Sequence, residues 1–521
     1  MSVRNFKRLC TYSLLIFVAC IILLLLFNNY PVVVSSPESY LKERERLIDA
    51  ERKLRFGHDV DLTSDEMKAN ECLMRAKTAE IHNAFRHPED FLPAQNFLLA
   101  REKIKLSRVF EILRKMPKGG LFHAHGLSIL SIDKVLEYTR LPNLYVCVSG
   151  HSLLFRFSRS RPASDDRCRA WASMEEQRRK NPNLDEELKR KLRLNPATTT
   201  SRDVGHADRV WKYFSSLFHA IGGIANYKLV YEKFMYEALQ ELYDDNIMFL
   251  ELRNALVPLY DLEGTTYTRE DTARTLLKVV KRFCANNPSF LGVKLIVAYS
   301  KKASVEELKS KIEDYKRIKA AFPELIIGFD LVSQEDAHHS LLDYGNALES
   351  IKNETDFFFH AGETNWYGSR SDNNLYDAIA LNSKRIGHGY ALIKHPKLME
   401  IVKKKKIVVE VSPISNQVLK LVADMRNHPA AHFFATSLPV VITSDDPSLW
   451  GASGLSYDIY EAFVGIMSSE ADLRALKQLA LNSIKYGSLN EQERTRAFEI
   501  FNREWIKFVV ELTNNSLCAD E

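Results

Sequence analysis

The chain has 521 residues, 45% of them hydrophobic and 27% charged, and a net charge of +5. That length suits one large barrel with appendages, or two or three smaller domains. The charge is too mild, and nucleic-acid-binding motifs too absent from the sequence, for a nucleic-acid-binding protein.

The first 35 residues differ from the rest. Arg4, Lys7 and Arg8 precede an uncharged run, Thr11 to Phe27, and no charge falls between Arg8 and Glu38. This is the pattern of a signal peptide or a type II signal anchor. The run is long for a signal core and short for a span. Val33-Val34-Ser35 offers a small-residue cleavage site, so both outcomes stay open. Either one places the bulk of the chain in the secretory lumen or outside the cell, as a secreted or membrane-anchored extracellular protein.

Residues 36–115 are rich in Glu, Lys, Arg, Leu and Ala, with glycine only at Gly57. They predict an N-terminal helical region. From 119 onward, short apolar runs alternate with helical stretches such as Glu306–Ala321 and Leu375–Leu381. The runs are Gly120–His125, Ile247–Arg253, Val293–Tyr299, Ile326–Val332, Phe357–Glu363, Arg385–Gly389, Ile407–Val411 and Val440–Ser444. Near-continuous apolar strands suit a parallel sheet covered on both faces. Eight strand–helix units over 116–521 predict an α/β fold of the (β/α)8 TIM-barrel type. A doubly wound sheet is the alternative, but it accounts less well for polar residues at so many strand ends.

The first two strands are too far apart for one helix between them, so residues 138–205 are read as an inserted subdomain. It carries a basic stretch, Arg178–Arg193, which fits either a solvated helix or a surface for a sulfated glycan or an acidic receptor. Of the seven cysteines, Cys10 and Cys20 fall in the leader. Cys147 and Cys168 make the best disulfide pair because they bracket a segment without regular pattern, although connectivity does not follow from sequence. Asn353-Glu-Thr and Asn514-Asn-Ser are glycosylation triplets.

Chemistry gathers at the strand ends. The first ends in His123-Ala-His125, the fifth contains His360-Ala-Gly-Glu363, the sixth ends in Gly387-His-Gly389, and the eighth runs into Thr443-Ser-Asp-Asp-Pro447. In a barrel these ends converge on one mouth. His123, His125, His360 and Asp445 form a candidate set of ligands for one Zn²⁺, which acidifies a bound water. Glu363 is placed as a proton carrier. His388 is placed to orient or deprotonate the water. Asp446, pointing away from Asp445 along an extended segment, is free to contact substrate.

Met116-Pro-Lys-Gly-Gly, His123-Ala-His125, Phe359-His-Ala-Gly-Glu363, Arg385-Ile-Gly-His-Gly389, Ser412-Pro-Ile-Ser-Asn-Gln417 and Ser444-Asp-Asp-Pro447 together resemble the adenosine deaminase superfamily. Gly454-Leu-Ser-Tyr-Asp458 and Leu476–Tyr486 resemble its secreted adenosine deaminase-related growth factors. The resemblance covers nearly the whole chain after the leader, including the helical extension and the Cys147/Cys168 insertion. It implies a barrel with one Zn²⁺ held by His123, His125, His360 and Asp445, a homodimer formed through the helical extension, and a receptor-binding insertion. It further implies that Glu363 protonates the purine ring nitrogen, His388 orients water and Asp446 binds the purine. The segment from Trp211 to Phe218 matches a substrate-pocket helix. The implied reaction converts adenosine or 2′-deoxyadenosine to inosine and ammonia, with a growth-factor role through adenosine depletion.

The chain departs from this pattern at three places. Gly126 stands where the relatives carry an acid that holds substrate, Ser300 where they carry a pocket histidine, and Ser333 where a glycine backbone meets the purine. Each lost charge-assisted hydrogen bond is worth about 1.5–3 kcal/mol. The departures keep two alternatives open: a zinc aminohydrolase of another purine nucleoside, and a receptor- or glycan-binding signalling protein with weak catalysis.

Overall fold

The computed structural model describes residues 37–150, 152–199 and 206–514. The expected signal peptide or anchor, residues 1–35, lies outside the described residues, and among those described no helix is long and apolar enough to cross a membrane. The chain divides into two units at residues 54 and 55. In the first, the helix Pro37–Arg52 is exposed along almost its whole length and carries surface pairs such as Lys42–Glu38 at 2.9 Å.

The second unit is built on eight parallel strands. We number them β1 (Gly119–His125), β2 (Ile247–Asn254), β3 (Gly292–Ser300), β4 (Ile326–Val332), β5 (Asp356–Phe357 and His360–Ala361), β6 (Arg385–His388), β7 (Val408–Val411) and β8 (Val440–Ile442). Consecutive strands pair from β1 to the first part of β5, and from its second part to β8. Backbone bonds close the two seams. Phe358 N–H donates to Phe329 O at 3.1 Å and Gly387 N–H to Phe359 O at 2.8 Å, which carries the sheet through β5. Beyond β8, Asp445 N–H donates to His123 O at 2.8 Å and His125 N–H donates back to Asp445 O at 3.1 Å. The eighth strand therefore lies beside the first, as the barrel reading expects.

Helices cover the outside, among them Lys228–Asp244, Arg269–Asn286, Val305–Ala321, Arg370–Ala380, Pro396–Lys405 and Leu473–Lys485. Several begin at residues suited to capping. Ser304 accepts the Glu307 N–H at 3.1 Å while Glu307 accepts the Ser304 N–H at 2.7 Å. The predicted helix at Leu375 starts earlier, at Arg370, because Ser369 caps the Asp372 N–H at 3.2 Å. The strands interdigitate aliphatic side chains, but the barrel interior also holds charge. Arg385, buried, lies between the Phe122 and Phe358 rings at 4.2 and 4.3 Å.

Ahead of the barrel, the helix Ser64–Arg86 packs on the last helix, Glu491–Asn514. Glu66 joins them, accepting from Trp505 Nε1 and Lys477 Nζ, each at 2.6 Å. The insertion contains an antiparallel hairpin (Leu144–Ser149 with Ser152–Phe157), whose first strand is tied by a Cys147–Cys168 disulfide to the segment that follows. Most of the basic stretch falls on two short helices, Met174–Lys180 and Leu184–Lys191, and part of it is internally paired. Arg178 donates to Asp185 at 2.7 Å and to Thr139 O at 2.6 Å, and Lys189 pairs with Asp133. Against the hairpin lies the helix His206–Ala225; a Cβ on Gly223 would sit 2.2 Å from Phe155 O, so only glycine lets helix and strand approach this closely. The insertion thus braces a helix that faces the barrel mouth.

Candidate active site

The C-terminal strand ends surround a cavity of about 460 Å³. At its floor, ligand-type atoms of His123, His360, His388 and Asp445 all lie within 4.8 Å of one another, and so do those of His125, Asp445 and Asp446. Every metal and catalytic residue expected from sequence is brought here. The compact four-residue group holds His388 in place of His125, yet His125 Nε2 is only 3.1 Å from Asp445 Oδ1.

The protonation of the histidines follows from their outer partners. Glu410 Oε1 accepts from Arg385 Nε at 2.6 Å, and its Oε2 accepts from Arg253 Nη2 at 2.7 Å. Asp330 Oδ2 accepts from Arg253 Nε at 2.7 Å. Both carboxylates are therefore acceptors only. His123 Nδ1 lies 3.1 Å from Glu410 Oε2, and His360 Nδ1 lies 2.7 Å from Asp330 Oδ2, so each Nδ1 is the donor. This leaves the two Nε2 atoms facing each other at 2.9 Å. Burial holds the His123 pKa well below the usual imidazole range, so its Nε2 carries a lone pair. A lone pair this close to a second imidazole nitrogen is satisfied by a proton or a metal cation between them. The donor set of imidazoles plus carboxylate suits a divalent transition metal such as Zn²⁺.

The remaining groups are set by backbone as much as by side chains. His388 (φ 60°) and Asp445 (φ 55°) occupy the left-handed region, which costs strain in a non-glycine residue and is concentrated at functional sites. Because Asp445 is left-handed rather than extended, Asp446 does not point away from it as expected; the two carboxylates stay within 4.8 Å. Asp446 accepts from Ser128 Oγ. Burial and the adjacent Asp445 charge push the Asp446 carboxyl well above the usual range. Burial does the same to Glu363, reinforced by Asp445 and Glu335, and keeps it protonated. Glu363 Oε1, buried and without a hydrogen-bond partner in the protein, lies 3.7 Å from His388 Nε2. Burial pulls the His388 pKa down to about 3 against the opposing Asp445 charge, so the ring is neutral. Its Nδ1 faces Asn416 Nδ2 at 3.3 Å.

Trp211 and Phe218 line the cavity from the helix His206–Ala225, with Phe214 between them edge-on to both rings at 5.4 and 5.2 Å. Ser333 also lines it, at φ 129°, a conformation that favours glycine. Its hydroxyl is turned onto Ser300 Oγ at 2.8 Å. The two serine departures therefore satisfy each other.

Sequence reasoning missed the supporting residues. Arg253, fully buried, bridges Asp330 and Glu410 and so ties the partners of His360 and His123 together. Glu335 accepts the N–H groups of Gly362 (3.3 Å) and Glu363 (3.0 Å), and lies 3.5 Å from the buried Lys301 Nζ. The signal was present in sequence: Asp330 and Glu410 are single acids inside otherwise apolar strands.

A barrel whose mouth holds imidazoles, carboxylates and a protonated glutamic acid defines a hydrolase of the metal-assisted class. A family model described as Adenosine deaminase matches residues 192–502, and one described as Adenosine/AMP deaminase N-terminal matches residues 19–113. The chain is 42% identical to Adenosine deaminase 2 of Sus scrofa, covering 91% of this chain and 94% of that one. It is 40% identical to Adenosine deaminase 2 of Homo sapiens, covering 90% and 93%. It is 39% identical to Adenosine deaminase of Lutzomyia longipalpis, covering 93% and 96%. Among solved structures, an Arabidopsis N6-mAMP deaminase superposes with a TM-score of 0.54 at 16% identity, over 75% of this chain and 99% of that one. A Burkholderia ambifaria amidohydrolase solved with bound Zn gives 0.55 at 15%, over 78% and 96%. At these identities the structures speak for the fold. The chain belongs to the adenosine deaminase family, in the subfamily of the adenosine deaminase-related growth factors, and is a hydrolase.

Proposed function

We propose that the chain is a zinc-dependent adenosine deaminase that converts adenosine and 2′-deoxyadenosine to inosine and ammonia. The observation that carries this is the convergence of ligand-type atoms, with His123 and His360 Nε2 2.9 Å apart beside Asp445. His123, His125, His360 and Asp445 would hold one Zn²⁺. When bound, the metal supplies a water acidified to near neutrality. Glu363, kept protonated by burial, gives its proton to purine N1, so that C6 accepts the oxygen of water. His388, neutral, takes a proton from that water. Asp446 holds the purine edge. The proton held by His388 passes to the amino group, the C6–OH proton returns to Glu363, and breaking the C6–amino bond releases ammonia and leaves the C6 carbonyl of inosine. Trp211 and Phe218 cover the apolar face of the base and keep bulk water out. Loss of adenosine absorbance as inosine forms, measured alongside metal content, tests this reading; full zinc loading without turnover of either nucleoside contradicts it.

The wider assignments belong to the same proposal. With its leader, the chain acts as an extracellular glycoprotein, and Asn353 and Asn514 are exposed as attachment requires. Residues 36–115 supply the contact of a homodimer. A growth-factor role follows from adenosine depletion, so it is lost with Glu363→Ala. The internal pairing of Arg178 and Lys189 weighs against a receptor or sulfated glycan as the main partner of the insertion.

A further inference from the structure

Gly126 and Asn254 are neighbours across β1 and β2: Gly126 N–H donates to Arg253 O at 3.0 Å. Both line the cavity. A Cβ on residue 126 would lie 2.3 Å from Asn254 Nδ2 and 3.2 Å from its Cγ. Asn254 therefore occupies the space a side chain at 126 would need. It cannot simply swing aside, because its Oδ1 accepts the Leu256 N–H at 2.7 Å, and Leu256 is a buried residue held at φ 48°. With Oδ1 used in this way, the amide presents N–H donors on the Gly126 side.

The cavity wall is correspondingly one-sided. Its carboxylates are Glu363, Asp445 and Asp446, all at the metal end. Ser215, His219, Asn226, Asn254 and Lys302 line the rest, with donors and a cation but no acid. When the purine C6 faces the histidine cluster, the sugar is directed into this remainder. An acid there would accept from a free sugar hydroxyl; an amide and an ammonium instead suit anionic oxygens.

We propose that Asn254 is a specificity-determining residue that excludes a side chain at 126 and turns the sugar end toward purine nucleoside 5′-monophosphates. This rests on the deaminase reading and extends its substrate class from nucleosides to their 5′-phosphates. Because the two positions share one volume, Gly126→Asp alone introduces a clash rather than a new contact, and the acid can be accommodated only when Asn254 is shortened.

The zinc-loaded full chain is assayed with adenosine, AMP and 5′-deoxyadenosine, and folding of each variant is checked by thermal melting. In the wild type, AMP is expected to exceed both other substrates in kcat/KM by at least about tenfold, the scale of one charge-assisted hydrogen bond. Asn254→Ala removes most of that preference. Gly126→Asp lowers turnover of all three, and Gly126→Asp/Asn254→Ala recovers adenosine turnover. Adenosine or 5′-deoxyadenosine matching AMP in the wild type overturns the proposal. So does an AMP preference unchanged in Asn254→Ala, or Gly126→Asp alone raising adenosine turnover as far as the double variant. Should none of the three be deaminated, the deaminase reading fails separately. Thermal shifts with IMP and inosine then decide the site: a larger shift with IMP that Asn254→Ala abolishes supports it, and equal shifts overturn it.

Discussion

Glu363 shows how one residue's place sets its chemistry. A carboxyl buried beside Asp445 and Glu335 stays protonated where an exposed glutamate ionises. Glu363→Gln removes the proton source while leaving the ligand atoms in place, so kcat should fall by about 10²- to 10⁴-fold with zinc content unchanged. The two histidines that compete for the fourth ligand position separate in the same measurement. His125→Ala should lose zinc, whereas His388→Ala should keep it and lose turnover. Glu363 and the ligands were readable because chemically distinctive residues recur at strand ends. The mutual hydrogen bond of Ser300 and Ser333 was not, since nothing in two serines 33 residues apart says that they meet.

At the scale of elements, β2, β4 and β7 act as a frame for the metal site. Arg253 on β2 holds Asp330 on β4 and Glu410 on β7, and these acids orient His360 and His123. Arg253→Met strips both carboxylates of a buried partner. We expect metal affinity to fall about 10- to 100-fold and stability by about 3–5 kcal/mol, read by zinc titration and by denaturant unfolding. A pH effect belongs to the helix Ser64–Arg86. Burial lowers the Lys77 pKa to about 7, although its Nζ donates to Ser468 O and Ala471 O at 3.0 and 2.8 Å. Between that value and the ordinary lysine range the unfolded chain binds the extra proton, so stability rises with pH. The wild type should therefore gain Tm relative to Lys77→Met from about pH 7 to 10; a flat difference contradicts the assignment.

At the scale of the molecule, the strands stood close to where apolar runs placed them, because a parallel barrel buries both faces of each strand. The fifth departed most: its run reads as one strand, but it pairs with β4 only at Asp356–Phe357 and with β6 only at His360–Ala361, and Gly362 takes φ 75° just beyond. The insertion was legible as a segment but not as a hairpin bracing the helix His206–Ala225, because that contact depends on Gly223 meeting Phe155 O. Removing the Cys147–Cys168 bridge, which spans 21 residues, should cost about 3 kcal/mol and loosen this helix, measured by unfolding of Cys147→Ala/Cys168→Ala. In the proposed function the strand ends act as one assembly that holds a metal and deaminates a purine nucleoside. Metal analysis of the purified chain, combined with a deamination assay on the same sample, tests it most directly. One zinc per chain and release of ammonia from a 6-aminopurine nucleoside or its 5′-phosphate are expected; a chain fully loaded with zinc that deaminates none of them would contradict a deaminase site.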